Sequence, residues 1–137
     1  MNRAVLADTG PLYAALDRDD AYHHRARREL KHLAQEKRNV IVACPTLLEA
    51  HRLVLRRLSQ ELASAWLDDV LKTGSLTNPS LEDYWEGVMR LSALPDQSIT
   101  LFDATLAALA SRLGIEIWTY DHHFDLMRAP VWRPTAS

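Results

Sequence analysis

Four acidic residues stand where chain segments that are far apart in sequence can bring carboxylates together. Asp8 closes one short apolar run, Asp121 closes another, and Glu49 and Asp103 fall in the first turns of two predicted helices. In α/β sheets, ligands bind beyond the carboxyl ends of the strands, where such residues can converge. A few carboxylates are enough for Mg²⁺, which prefers oxygen ligands and keeps several of its waters. The spacing therefore predicts one acidic pocket that binds a hard divalent cation.

Three of these acids also have ordinary structural explanations. Asp8 and Asp121 each follow a predicted strand and precede a helical segment, so either residue can cap the helix or form the turn. Glu49 completes the pattern Thr46-Leu-Leu-Glu49, a capping box in which the glutamate accepts a hydrogen bond from the backbone amide of the N-cap residue. Two arginines further along the same helix face offer Glu49 an ion pair as well. Singly, these residues do not distinguish a metal site from helix capping.

Asp103 is more informative than the other three acids. Thr100 and Asp103 also fit a capping pattern, but the following helix reads Ala-Thr-Leu-Ala-Ala-Leu-Ala, and no lysine or arginine occurs between positions 90 and 112. Because a buried carboxylate is costly to desolvate unless it is paired or bound to a metal, this setting favours the metal site. Thr9 and Thr119 lie beside the strand-end acids, and are predicted to hydrogen-bond the carboxylates or the waters of the metal.

Other kinds of site have weaker support. Adjacent histidines rarely share one zinc ion, and the pairs at 23–24 and 122–123 have no second ligand pair at a suitable spacing. The single Cys44 excludes an internal disulfide and a multi-cysteine metal site. The chain has neither a Gly-rich phosphate loop nor a Gly-x-Ser-x-Gly motif. The tryptophans lie in apolar patterns and are expected in the core rather than under nucleic-acid bases: Trp66, Trp85, Trp118 and Trp132.

Short apolar runs alternate with helical patterns and predict the elements that position the acids. Strands are predicted at 4–8, 40–43 and 115–120. Helices are predicted from Gly10-Pro11, over 21–37, from Pro45-Thr46 to Leu58, and over 61–73, 80–94 and 100–113, with a helical turn at Phe124–Met127. Segment 100–113 is apolar almost all round and is expected to be a central buried helix. The order predicts one α/β domain over 1–137, with a mainly parallel central sheet flanked by helices and a tail from about 130.

Two of the predicted helices carry an apolar stripe that is expected to face the core. In the helix over 21–37 the stripe consists of Tyr22, Ala26, Leu30 and Leu33. In the helix that starts at Pro45 it consists of Leu47, Leu48, His51, Val54, Leu55 and Leu58.

The net charge of −2 does not indicate a nucleic-acid partner, but the basic residues are clustered within 21–38 and 51–57. Four arginines in these clusters are candidates to hold RNA phosphates: Arg25, Arg28, Arg52 and Arg56. Such contacts add salt dependence but little sequence preference, and a solvated helix face is the plainer explanation. No apolar run approaches the roughly 20 residues that span a bilayer, and the N-terminus turns polar too early for a signal peptide. We therefore expect a cytoplasmic protein without a membrane partner.

At the four acids the chain resembles the PIN-domain family, and in particular the VapC-type toxins of toxin–antitoxin pairs. The matching stretches are Val-Leu-Ala-Asp8-Thr-Gly-Pro, Pro-Thr-Leu-Leu-Glu49-Ala-His-Arg-Leu, Ile-Thr-Leu-Phe-Asp103-Ala-Thr-Leu and Ile-Trp-Thr-Tyr-Asp121-His-His-Phe. Each is loose alone, but their order and spacing cover essentially the whole chain. The resemblance implies a PIN-like parallel sheet flanked by helices and an Mg²⁺- or Mn²⁺-dependent endoribonuclease. It also implies a homodimer and a small antitoxin protein that blocks the site.

The resemblance also assigns roles by position. Asp8, Glu49 and Asp103 match the core metal-binding acids, and Asp121 matches the fourth, more variable one. Asp96 matches a further acidic position that is common in the family. His123 is a departure, since many relatives carry another acid after the fourth aspartate, and it weakens any expectation of a second permanent metal.

The predicted reaction is hydrolysis of a phosphodiester in RNA, most readily single-stranded, with the metal site activating a water for in-line attack on phosphorus. One alternative is a PIN-like nuclease that processes RNA or cuts DNA. Another is a PIN-like module without activity that only binds RNA or protein, although no core acid is missing here. A phosphatase of the HAD type also has an aspartate after its first strand. It usually needs a second aspartate two residues later, where this chain has Gly10.

Overall fold

The computed structural model describes residues 3–134 and shows one four-stranded parallel sheet. Its strands are β1 (Val5–Ala7), β2 (Val40–Ala43), β3 (Leu76–Thr77) and β4 (Glu116–Trp118). They lie side by side in the order β3-β2-β1-β4. Leu6 of β1 pairs with Ile41 on one side and with Ile117 on the other. This arrangement confirms the α/β fold with a parallel central sheet, and it adds β3, which the sequence patterns did not predict.

Seven helices of the described chain flank the sheet, namely α1 (Thr9–Leu16), α2 (His23–Gln35), α3 (Cys44–Arg57), α4 (Gln60–Thr73), α5 (Leu81–Ala93), α6 (Leu101–Leu113) and α7 (His123–Leu126). Most agree with the predicted ranges to within a few residues. None of the helices in residues 3–134 combines the length and the apolar character needed to cross a membrane.

Helix α6 is the central buried helix that the sequence predicted. Every residue from Asp103 to Ala110 is buried, and Leu106 and Leu109 pack with Leu6 and Ile117 of the sheet in one apolar cluster. Helix α5 approaches α6 closely at Gly87, where an added Cβ would lie 3.0 Å from Thr105 Oγ1. The rigid core therefore fixes the start of α6, where Asp103 lies.

The start of α3 differs from the prediction. Strand β2 runs directly into α3 without a loop, so the N-cap residue is Ala43 and the helix begins at Cys44. Thr46 is fully buried, and its Oγ1 has no hydrogen-bond partner among the described residues. The predicted capping box between Thr46 and Glu49 is therefore wrong, and Glu49 is free to serve another purpose.

The apolar stripes were only partly correct. Ala26, Leu33 and Val54 are buried as expected, but the following members of the predicted set are exposed: Tyr22 at 50%, Leu48 at 71%, Leu55 at 44% and, among the tryptophans, Trp85 at 63%. Periodicity identifies the apolar positions of a helix, but it does not say which of them contact the sheet. The expectation of a core position is confirmed for Trp118 and Trp132 and wrong for Trp85.

The predicted tail from about 130 belongs in part to the fold. Pro130 accepts a hydrogen bond from the Ile117 amide (2.8 Å), and the Trp132 amide donates to the Ile117 carbonyl (2.8 Å). Val131 pairs with Ile117 in parallel, and the Trp132 side chain is buried. Residues 130–132 thus extend the sheet beside β4, because one apolar valine and one tryptophan are enough to dock a short segment. Positions 135–137 of the predicted tail lie outside the described residues.

Candidate active site

A cleft of about 790 Å³ opens at the carboxyl ends of β1 and β4. All four predicted acids line it, namely Asp8, Glu49, Asp103 and Asp121. Asp8 directly follows β1 and caps α1, while Asp121 follows β4. Glu49 is in the second turn of α3, and Asp103 is in the first turn of α6. The parallel sheet therefore brings the four residues to one place from four separate elements.

Thr9 connects two of the acids. Its backbone amide donates to Asp8 Oδ1 at 2.8 Å, and its hydroxyl donates to Glu49 Oε2 at 2.9 Å. The first contact is an ordinary helix cap, so Asp8 fulfils the capping role that its position allowed. It also leaves the other carboxylate oxygen of Asp8 free for a different partner.

Thr119 holds that second oxygen. Its hydroxyl donates to Asp8 Oδ2 at 2.8 Å and accepts from the Asp121 amide at 3.0 Å. The Asp121 carboxylate in turn accepts from the His123 amide at 2.9 Å, which is the turn contact expected of an aspartate here. Both threonines thus hydrogen-bond carboxylates of the cleft, as predicted, and they fix the orientation of Asp8.

His123 lies between Asp103 and Asp121. Its Nδ1 atom is 3.7 Å from Asp103 Oδ2 and 3.2 Å from Asp121 Oδ1. This nitrogen is buried and has no hydrogen-bond partner in the described part of the chain. The adjacent histidine, His122, also brings a ligand atom within 4.8 Å of those of Asp121 and His123. The two carboxylates therefore share one titratable neighbour.

Two of the acids are harder to ionise than usual. Burial raises the pKa of Asp8 from 3.8 to about 6, against hydrogen bonds from Thr119 and Thr9, and the charges of Asp103 and Asp121 raise it further. Burial, followed by the charge of Asp121, also raises the pKa of Asp103, although Thr100 and His123 oppose the shift. Desolvation and repulsion between like charges act in the same direction here. The cleft is thus an unfavourable place for negative charge unless a cation joins it.

The donor set suits a hard divalent cation. The four acids present carboxylate oxygens, which Mg²⁺ and Mn²⁺ accept readily. None of them makes an ion pair with a lysine or arginine among residues 3–134. The imidazole rings of His122 and His123 lie beside Asp121, and that of His123 also lies beside Asp103. A bound divalent cation would relieve the repulsion that raises the pKa of Asp8 and Asp103.

The other predicted site residues do not line the cleft. Asp96 is exposed in the turn between α5 and α6 and is not among the described residues that line it. The same is true of the four arginines that were candidates to hold phosphates. All four are exposed on helix surfaces: Arg25, Arg28, Arg52 and Arg56. Arg25 also pairs with the buried Glu29 and lines a smaller pocket that includes Asp121.

Several residues that the sequence did not single out do line the cleft. Arg57 at the end of α3 is one of them, and its guanidinium lies 5.4 Å from the centroid of the Tyr13 ring. Tyr13, Tyr22 and Tyr120 also contribute to the lining. A usable signal for Tyr120 was present, since it stands between two predicted site residues, Thr119 and Asp121. Arg57 and Tyr22 had no such signal because their helices bring them to the cleft from distant parts of the sequence.

Comparison with solved structures finds the same architecture in several proteins. VapC20 of Mycobacterium tuberculosis, described as a sarcin-ricin loop cleaving toxin, matches with a TM-score of 0.79 and 22% identity over 95% of this chain and 99% of that chain. FitAcB from Neisseria gonorrhoeae matches with a TM-score of 0.72 and 18% identity, over 95% and 97%. VapBC2 from Rickettsia felis, solved with a DNA fragment from its promoter, matches with a TM-score of 0.70 and 15% identity, over 95% of this chain and 99% of that chain.

At these identities the structural likeness establishes the fold. No curated protein matches the sequence significantly. The model of the PIN domain, however, matches residues 5–129, which include all four strands and all four acids of the cleft. The chain therefore belongs to the PIN domain family.

Proposed function

We propose that this protein is a divalent-metal-dependent endoribonuclease and the toxin of a VapBC-type toxin–antitoxin pair. The observation that carries the proposal is the cleft itself. Asp8, Glu49, Asp103 and Asp121 line it together, two of them are buried, and none has a lysine or arginine partner in the described chain. Unpaired carboxylates at one cleft can hold a divalent cation, and such a cation can support hydrolysis of a phosphodiester.

Asp8, Glu49 and Asp103 would hold Mg²⁺ or Mn²⁺, with Asp121 beside them. The cation supplies Lewis acidity, which activates a water and stabilises negative charge on the phosphate group. Thr9 and Thr119 keep the carboxylates of Asp8 and Glu49 in position, because their hydroxyl groups donate to these side chains. In known metal sites, mutation of such outer contacts typically weakens metal binding by roughly 10- to 100-fold.

The charge of the cleft makes binding of substrate depend on the cation. RNA carries a negative phosphate at every nucleotide, and four nearby carboxylates repel it. Arg57, which lines the same cleft, offers one guanidinium for a phosphate that flanks the reacting one. We therefore expect RNA to bind weakly when the cation is removed, and not only to remain uncut.

The similar solved structures support the toxin assignment and a protein partner. One is described as a sarcin-ricin loop cleaving toxin, and another is VapBC2 bound to a DNA fragment from its promoter. By analogy we propose a small antitoxin that places an arginine among the four acids, where its planar guanidinium pairs with carboxylates and replaces the charge of the metal. A homodimer acting in the cytoplasm completes the proposal.

A cleavage assay with purified protein tests the activity. Single-stranded RNA should be cut when Mg²⁺ or Mn²⁺ is supplied, and excess EDTA should stop the reaction completely. Asp8→Ala should be inactive under every condition. Single-stranded DNA of the same sequence serves as the competing substrate, and faster cleavage of DNA would favour the DNA-directed alternative. Undiminished RNA cleavage in EDTA, with Asp8→Ala equally active, would show that the four acids are not the catalytic site.

The antitoxin is tested by purification from the native host. A small protein that co-purifies with the chain should suppress cleavage, and replacing its inserted arginine by alanine should restore most of the activity. A tightly bound partner that leaves RNA cleavage unchanged would contradict the toxin–antitoxin assignment without affecting the nuclease.

A further inference from the structure

The acidic cleft carries two tyrosine rings that the proposed reaction has not used. Tyr22 immediately precedes α2, Tyr120 lies just beyond β4, and both line the cleft together with the four acids. Their ring centroids are 5.0 Å apart and the ring planes meet at 40°. Tyr22 is 50% exposed, so a large aromatic surface faces solvent next to the acids.

The Tyr120 ring is held in one orientation. Its hydroxyl donates to Glu29 Oε1 at 2.6 Å, and the same oxygen accepts from Trp118 Nε1 at 3.0 Å. Glu29 is buried. A ring fixed at its far end loses little freedom when something stacks on it.

The position of Tyr22 is fixed as well. Its backbone amide donates to Asp20 Oδ1 at 2.8 Å, and its ring packs on Tyr120. The guanidinium of Arg25 lies 4.3 Å from the centroid of the Tyr120 ring and 5.9 Å from that of Tyr22. Arg25 lines a smaller neighbouring pocket that shares Tyr120 and Asp121 with the cleft. It therefore contacts the tyrosine rings without lining the cleft itself.

We propose that Tyr22 and Tyr120 form a stacking platform for one unpaired base of the substrate, next to the phosphodiester at the four acids. The inference rests on the proposed ribonuclease function and deepens it. Aromatic rings stack on any base, because every base presents a π-face, and a nearby guanidinium holds the backbone on either side. A base inside a duplex is already stacked and cannot reach the rings, so the platform selects single-stranded RNA.

The test measures RNA binding in the Asp103→Asn protein with excess Mg²⁺ present, because this variant keeps the other three acids of the cleft and should not consume its ligand. Fluorescence anisotropy with a labelled single-stranded RNA gives the Kd of this parent and of two further variants in the same background. Tyr22→Ala should weaken binding by about 5- to 100-fold, the range expected for one stacked base. Tyr22→Trp should keep the affinity of the parent. Trp85→Ala removes an aromatic ring on α5 that is even more exposed and lies outside the cleft, and it should leave the Kd unchanged.

An RNA series with a single abasic residue at successive positions identifies the stacked base. At one position the missing base should weaken binding to the parent as much as Tyr22→Ala does, and the two changes should not add. Equal Kd values for Tyr22→Ala and its parent would overturn the platform, whether or not the wild-type protein cuts RNA. The platform would also be overturned if every abasic position weakened RNA binding equally, or if Tyr22→Ala weakened binding of a protein partner and not of RNA.

The same experiment separates this inference from the proposed function. Binding that depends on Tyr22, in a wild-type protein that cuts no RNA with any divalent metal, would support the platform and overturn the nuclease. The absence of measurable RNA binding by both the wild-type protein and the parent would overturn both proposals.

Discussion

Two buried aspartates of this chain lie in opposite electrostatic settings. Asp83 at the start of α5 is 2% exposed and Asp8 at the start of α1 is 8% exposed. Asp83 accepts two hydrogen bonds from Arg112, each of 2.9 Å, and one from the Ser80 amide at 2.8 Å. The Arg112 contacts hold its pKa below the usual range, although burial opposes them. Burial instead raises the pKa of Asp8 to about 6.

The difference shows that the partner, and not burial, decides the role of a buried carboxylate. Asp83 has its cation within the chain and completes a capping box with Ser80, so it contributes to stability. Asp8 accepts one hydrogen bond from the Thr9 amide and one from the Thr119 hydroxyl, but it has no lysine or arginine partner in the described chain. Asp8 is therefore the buried acid that needs a cation from outside the chain.

The largest expected difference between the two regions is in activity. Asp103→Asn removes a proposed ligand of the metal and should lower RNA cleavage by at least about 10³-fold, since several kcal/mol of transition-state stabilisation is lost. Asp83→Asn should leave cleavage per folded molecule unchanged. Initial rates with labelled RNA, corrected for the folded fraction by circular dichroism, provide the comparison. Comparable losses in the two variants would contradict the separation of roles.

Stability should respond in the opposite way. Asp83→Asn leaves Arg112 without its charge partner and should lower the free energy of unfolding by about 2 kcal/mol. The cost stays moderate because the Arg112 side chain is 47% exposed. Asp103→Asn removes repulsion within the cleft and should leave the stability of the metal-free protein unchanged or raised. Urea unfolding in EDTA measures both values, and a drop of about 1 kcal/mol for Asp103→Asn would indicate that Asp103 is mainly a helix cap.

The pH dependence of stability sharpens the same contrast. The pKa of Asp8 is raised from 3.8 to about 6 on folding, so the folded protein binds more protons than the unfolded chain across this interval. Stability therefore falls as the pH rises through it, by roughly 1–2 kcal/mol between pH 5 and 7.5. Asp8→Asn should lack this component, while Asp83 is ionised throughout that range in both states.

Thermal melts at pH 5 and pH 7.5, with EDTA or with Mg²⁺, measure this component. The wild-type loss minus the Asp8→Asn loss isolates the contribution of Asp8 from that of every other group in the protein. Mg²⁺ should restore wild-type stability at pH 7.5 and have little effect on Asp8→Asn. Identical pH profiles for the two proteins would show that Asp8 is ionised normally.

The smallest expected effect concerns the arginine in the cleft. Arg57→Ala should raise the KM for RNA by a few-fold and reduce its salt dependence, because one phosphate contact is lost. Arg28→Ala, on an exposed face of α2, is the matched control and should change KM less. The comparison needs cleavage rates at several salt concentrations, and equal effects of the two substitutions would remove Arg57 from the proposed RNA path.

The sequence predicted the parallel sheet and the residues of the acidic cleft well because both follow from strong local patterns. β1 and β2 are short apolar runs, and α6 is visible as a helix without charged residues between Asp103 and Arg112. Strand β3 was missed since Leu76–Thr77 is only two residues long, too short to show any periodicity. The segment at 130–132 was missed because pairing with Ile117 depends on the folded sheet and not on the segment itself.

The geometry around the acids was less predictable. Arg56 and Arg57 are adjacent in sequence, yet the helix turns them to different sides and only Arg57 lines the cleft. Tyr22 looked like a core residue because it continues an apolar stripe, but it stands at the N-cap of α2, before the helix packs on the sheet. Contacts of this kind depend on how elements from distant positions meet, which a local pattern does not record.

Direct titration of the protein with metal tests the central claim. According to it, the acids of the cleft have no lysine or arginine partner in the described chain, and a bound divalent ion provides the missing positive charge. Isothermal titration calorimetry with Mn²⁺ should show a binding site in the wild-type protein and an unchanged Kd in Asp83→Asn. Asp8→Asn should bind at least about tenfold more weakly, since a charged oxygen ligand is lost. Equal affinity for Mn²⁺ in the wild-type protein and in Asp8→Asn would contradict the account.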